Sequence, residues 1–129
     1  MLAFGLAAVS VRALRRIRPF RVEVTGRSME PTLRPGDCLI ATRDRASTKG
    51  VLVVVEHPEH PGFEMVKRVG GVPGDRVEGR LLGPDDYWLI GDNAAASSDS
   101  RTFGPVGARQ IRGVVALRYW PPPRAAWLR

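Results

Sequence analysis

Val51-Leu52-Val53-Val54-Val55, then Glu56-His57-Pro58-Glu59-His60-Pro61-Gly62, then Phe63-Glu64-Met65-Val66-Lys67-Arg68-Val69 is the stretch that decides the fold of this 129-residue chain. The first five residues are apolar and mostly β-branched, which suits a central strand. Pro58, Pro61 and Gly62 mark a loop, because proline cannot donate to a ladder and glycine takes turn geometries. In the return segment Phe63, Met65, Lys67 and Val69 share one face, while Glu64, Val66 and Arg68 share the other. The stretch therefore reads as a hairpin that carries a lysine on an otherwise apolar face.

The same period of two recurs on either side. Phe20, Val22 and Val24 alternate with Arg21, Glu23 and Thr25 in a first strand. Residues 26–37 are rich in turn formers, with Pro31, Pro35 and Gly36, and lead into a second apolar run at 38–41. Short strands are expected at 76–80 and 87–90, and a last one at 113–120 that Pro121, Pro122 and Pro123 stop. Many short strands with little helix predict an all-β domain of curled antiparallel sheets. Residues 1–19 read as a basic and apolar N-terminal helix or arm, and residues 20–129 as one domain of ordinary size.

A net charge of +7 invites a nucleic-acid partner, but its distribution argues against one. Arg12, Arg15, Arg16, Arg18, Arg21 and Arg27 crowd the N-terminal approach, and no aromatic platform is interleaved with basic residues. Cys38 is the only cysteine, so an intrachain disulfide is excluded; it reads as a small buried hydrophobe, and the count fits a reducing compartment. Residues 1–11 are apolar but broken by Gly5 and Ser10, well short of the ~20 residues of a membrane-spanning helix. Their positive charges follow the apolar run, the reverse of an export signal. If the segment entered a bilayer, Arg12 to Arg18 would hold the following chain on the cytoplasmic side. An amphipathic helix over 2–18 would give peripheral membrane contact. The expected location is therefore cytoplasmic with membrane association, the alternative being a membrane-anchored chain with an external catalytic domain.

Two residues carry a candidate chemistry. Ser28 lies in a tight segment between Gly26 and Pro31, where a loop can expose a hydroxyl and leave a backbone N–H free for a developing oxyanion. Lys67 lies among apolar neighbours, and burial disfavours the ammonium. A lysine base working near neutrality needs its pKa brought from ~10.4 to about 7–8. The neutral amine can then take the serine proton. His57 and His60 raise a serine–histidine or weak metal alternative, but their place beside prolines reads as a solvated loop. No metal or cofactor is expected.

The residues around this pair extend the pattern. Val24-Thr25-Gly26-Arg27-Ser28-Met29-Glu30-Pro31-Thr32-Leu33, with Arg34-Pro35-Gly36-Asp37, resembles the nucleophile box of signal peptidase I. Lys67-Arg68-Val69-Gly70-Gly71-Val72-Pro73-Gly74-Asp75 resembles that family's lysine box, and Gly91-Asp92-Asn93 with Ser97, Asp99, Ser100 and Arg101 its third signature. The resemblance implies that Ser28 attacks a scissile carbonyl and that Lys67 is the general base. It assigns supporting places to Ser97, which would orient the lysine, to Asp99 and Arg101 as an ion pair bracing the loop, and to Met29 beside the nucleophile. Asp92-Asn93 would form a structural turn. Some members carry a serine where this chain has Gly26, so the Ser28 N–H must carry most of the oxyanion stabilisation. The partner implied is a precursor protein, cleaved near its N-terminus.

Brevity, the His-Pro-Glu-His-Pro-Gly loop and the ending Arg118-Tyr119-Trp120-Pro121 resemble the nickel-type superoxide dismutase maturation proteases, which implies removal of a propeptide from that dismutase. The alternatives are a minimal membrane-associated signal peptidase acting on exported proteins and, outside the enzymes, a self-cleaving repressor-type switch or binding domain. No helix-turn-helix pattern precedes the domain, which weighs against the switch.

Overall fold

The computed structural model describes residues 18–46 and 48–128. The expected N-terminal helix lies outside the described residues. The chain runs through β1 (Pro19–Glu23), β2 (Cys38–Thr42), β3 (Leu52–Glu56), β4 (Glu64–Gly71), β5 (Arg76–Val77), β6 (Arg80–Leu81) and β7 (Asp86–Ile90). A short helix α1 (Ser100–Phe103), β8 (Val106–Gly107), the ten-residue β9 (Ile111–Trp120) and β10 (Ala126–Trp127) follow. All pairings are antiparallel, in the order β1-β2-β9-β3-β4-β7-β8 with β10 on β9. This is the all-β curled sheet that the alternating pattern predicts.

The curl has a local cause. Register shifts fall between Cys38 and Leu39, Ile40 and Ala41, Val54 and Val55, and Val69 and Gly71. Each such irregularity adds bend and right-handed twist to its strand. The sheet accordingly wraps round a core on both of its faces. Leu52 and Val54 of β3 pack with Met29, Leu33, Leu39 and Val115, whereas Val53 and Val55 pack with Val69, Leu89, Val106 and Val114. A strand buried on both faces needs an unbroken apolar run, which is what residues 51–55 supply. Each fully buried Val or Leu contributes roughly 1.5–3 kcal/mol of hydrophobic stabilisation.

Three local expectations are revised. The stretch 76–80 is two short strands joined by a two-residue turn, with Glu78 and Gly79 at φ of 50° and 77°. Positive φ at both central positions is what a right-twisted hairpin requires, and the glutamate hides that signal. Cys38 is half-buried, because its place at the start of β2 leaves one side open. His57 is buried, not solvated: its backbone N–H bonds to Phe63 O, continuing the β3–β4 ladder one step into the loop.

Candidate active site

The loop formed by the segment that resembles a nucleophile box leaves β1 and returns to β2 through a closed neck, where Val24 N–H donates to Asp37 O and Gly36 N–H donates to Val24 O at 2.8 and 2.7 Å. Inside the neck, Met29 and Leu33 are buried in the core, and Leu33 N–H donates to Met29 O at 2.9 Å. Apolar anchors on both sides of a single turn hold Ser28 at the surface of that core, half-buried. Neither the Ser28 N–H nor its Oγ hydrogen-bonds to another described residue.

Lys67 comes from β4, between Met65 and Val69, and is only 2% exposed. Its Nζ donates to Ser97 Oγ at 3.1 Å, and Ser97 Oγ donates to Asp99 Oδ2 at 2.7 Å. The direction of this chain is fixed by proton count. A serine hydroxyl has one proton, and an ionised carboxylate can only accept. Ser97 must therefore give its proton to Asp99 and accept from the lysine.

Asp99 gathers five donors: Gly91 N–H, Ser97 Oγ, and the N–H, Nε and Nη2 of Arg101. Burial alone would raise its pKa, but the Arg101 guanidinium, the Gly91 and Ser97 bonds and the Arg101 N–H together hold it well below the usual carboxylate range. For Lys67, burial pushes the ammonium pKa down; the Asp99 charge opposes this, and Arg101 adds to it. The result is a depressed lysine beside a firmly ionised carboxylate, with a hydroxyl between them.

Gly91 sits where these parts converge. A Cβ there would lie 2.6 Å from Ser97 Cβ and 2.7 Å from Ser28 O, inside any normal contact distance. The residues after it tie the nucleophile loop down: Asn93 N–H donates to Ser28 O at 2.8 Å, and Asn93 Nδ2 donates to Arg27 O at 3.1 Å. Asp92 accepts from Thr32 Oγ1 at 2.6 Å and from Arg68 Nε and Nη2 at 2.8 and 2.7 Å. Asp92 and Asn93, expected as a turn, thus also bridge the nucleophile loop to β4. Gly26 has no atom within 4 Å of where a Cβ would stand, so it opens the approach to Ser28.

Ser28 and Lys67 line one cavity of about 650 Å³. Its walls include residues 21–25, running out of β1, and residues 63–66, running into Lys67 along β4. β1 is the end strand of the sheet. β4 pairs with β3 along 64–68, but β7 takes its other edge only from Arg68 onward. Two strand edges without a pairing partner among the described residues therefore border the cavity. Sequence reasoning missed His57 and His60 as lining residues; Thr32 and Arg68 stand inside the quoted boxes, but their shared contact with Asp92 was not read from them.

A family model described as signal peptidase, peptidase S26, matches residues 1–82 and 78–120. Mitochondrial inner membrane protease subunit 1 of Xenopus tropicalis is 40% identical over 113 residues, covering 75% of this chain and 66% of that protein. The human subunit 1 is 32% identical over 124 residues, covering 84% of this chain and 74% of its own length. Signal peptidase I of Bacillus caldolyticus is 32% identical over 159 residues, covering 88% and 87%. These relatives do not support the nickel-type dismutase maturation proteases suggested by the His-Pro-Glu-His loop. Among the described residues no helix is long and apolar enough to cross a membrane. With its sheet, its three boxes and these matches in agreement, the chain belongs to the signal peptidase family, peptidase S26.

Proposed function

We propose that the chain is a serine endopeptidase in which Ser28 attacks a scissile peptide carbonyl and neutral Lys67 takes the hydroxyl proton. The observation that carries this reading is the buried Lys67 amine, given one hydrogen-bonded acceptor in Ser97 and opening on the cavity that holds Ser28. A neutral amine has two N–H bonds and one lone pair. Ser97 fixes one N–H, which leaves the lone pair free for the Ser28 proton. Lys67 then returns that proton to the leaving amine, the acyl-enzyme forms on Ser28 Oγ, and water releases it by the same base. The unengaged Ser28 N–H stabilises the oxyanion.

The substrate is an extended segment of a precursor protein, added as a strand between the open edges of β1 and β4. The matches to inner membrane protease subunits and to signal peptidase I favour a membrane-associated enzyme that cuts presequences of exported or sorted proteins. This reading replaces nickel-dismutase maturation as the first choice of substrate. Incubation of the purified chain with a precursor carrying an Ala-x-Ala cleavage segment, followed by mass analysis of the new N-terminus, tests it. A single cut by the wild type that disappears in Ser28→Ala is expected; an intact precursor with the wild type, or a cut that survives in Ser28→Ala, would overturn it.

A further inference from the structure

His57 is a buried titratable side chain that the proposed chemistry leaves unused. It is 8% exposed and lines the same cavity as Ser28 and Lys67. Its Nδ1 accepts the Glu59 N–H at 3.0 Å. A ring nitrogen that accepts carries no proton, so the neutral imidazole must hold its proton on Nε2. The ring is held in place from three sides, by Phe103 with centroids 4.9 Å apart, His60 at 4.5 Å and Phe63 at 6.2 Å.

The Nε2–H has no partner among the described residues. Nor is it sealed in the core, because Thr42 Oγ1 is the only side-chain polar atom among the described residues that is both sealed and without a partner. A pre-oriented donor without an acceptor, at the wall of a cavity, is a ready contact for a ligand. Burial, and then the neighbouring His60, lower the His57 pKa, and the Lys67 charge acts in the same direction against Glu59. The donor tautomer therefore holds through the neutral and alkaline range in which a Lys67 base would work.

We infer that His57 Nε2–H is a substrate-binding donor that holds a backbone carbonyl oxygen of the peptide lying in the cavity. The inference rests on the cavity being the peptide-cleaving site. Its occupant is a polypeptide in extended form, whose successive carbonyls point to opposite sides, so that one lying past the end of the strand pairing is left for a side-chain donor.

Two measurements test it with a short fluorogenic peptide carrying an Ala-x-Ala segment as the probe. In the first, His57→Phe keeps an aromatic ring against Phe103 but loses the donor, and His57→Gln restores an N–H at similar reach. His57→Phe is expected to lower kcat/KM roughly 3- to 10-fold, mostly through KM, with His57→Gln within about 3-fold of wild type. Equal kinetics for wild type and a folded His57→Phe would overturn the inference. In the second, the Ser28→Ala chain keeps His57 intact, and its Nε2–H resonance is followed in long-range proton–nitrogen spectra as peptide is added. A shift of that resonance is expected, and none on addition of peptide would overturn the inference even if His57→Phe fails to fold. A wild type that cuts nothing would instead sink the protease reading, while the resonance still reports on His57.

Discussion

Ser97 has one proton and two neighbours that want different things from it. Asp99, held ionised by Arg101 and Gly91, takes the proton; Lys67 is left to donate. A Ser97→Ala variant would remove the acceptor without touching Ser28. It should lower kcat by roughly 10- to 100-fold while KM changes little, since orientation of a base acts on the chemical step. Burial of Lys67 also has a stability consequence. With its pKa depressed in the folded chain, the unfolded chain binds more protons between the depressed value and the ordinary one, so stability rises with pH through that window. At neutral pH the ammonium is a cost to folding. Lys67→Met should therefore abolish cleavage yet raise the thermal midpoint, as a melting curve would show. For Asp99 the sign is reversed: its contribution is present above the unfolded value of ~3.9 and is lost only as pH falls through its lower folded value. Asp99→Asn should remove that acid limb from a pH–stability profile.

At the scale of elements, the site is the meeting of a turn, a strand and a loop. Gly91 allows the third to approach the first, and Gly91→Ala places a methyl group against Ser97 and the Ser28 carbonyl. The overpacking should cost about 1–3 kcal/mol in denaturant titrations and displace Ser28, so that activity falls further than stability. How much of this was legible depended on range. The β3 run and the alternation of β4 announced their strands and put Lys67 on the apolar face, because a period of two is written in neighbouring residues. The β5–β6 hairpin did not show, because Glu78 rather than asparagine or glycine holds a positive φ. His57 looked like loop because Pro58 and Pro61 follow it. Its burial comes from a ladder bond to Phe63 and from Phe103, the last residue of the helix in which the third box ends. The boxes named Ser28, Lys67, Ser97, Asp99 and Arg101 as a group; the proton order among them needed coordinates.

Across the whole molecule, a second charged cluster, centred on a buried carboxylate, holds the Ser28 loop from behind. Asp37, 2% exposed, pairs with Arg124 at 2.8 Å and Arg118 at 3.5 Å, and accepts the Arg34 N–H. Arg118 also donates to Thr32 O at 2.9 Å and to Arg124 O at 2.6 Å. Through these bonds β9 and the segment between it and β10 grip the loop that carries Ser28. Nothing local in the sequence joins Asp37 to Arg124, 87 positions away. Asp37→Ala removes the carboxylate from two partly exposed guanidinium groups and should cost about 1–3 kcal/mol, read as a lowered urea midpoint. The same cluster explains why Asp37 belongs to the box around Ser28 although it stands at the loop's neck, away from Ser28 itself. Its task is to close the fold around the turn.

Proton transfer from Ser28 requires that Lys67 be uncharged when Ser28 reacts. Direct titration of the Lys67 side chain by nitrogen-edited NMR in the Ser28→Ala chain, set beside the pH dependence of wild-type kcat/KM, measures that state. A lysine that ionises clearly below the ordinary ~10.4, with cleavage rising through the same pH to a plateau, is the predicted result. A lysine that titrates at its ordinary value, or a rate that is flat across the ionisation, would contradict it.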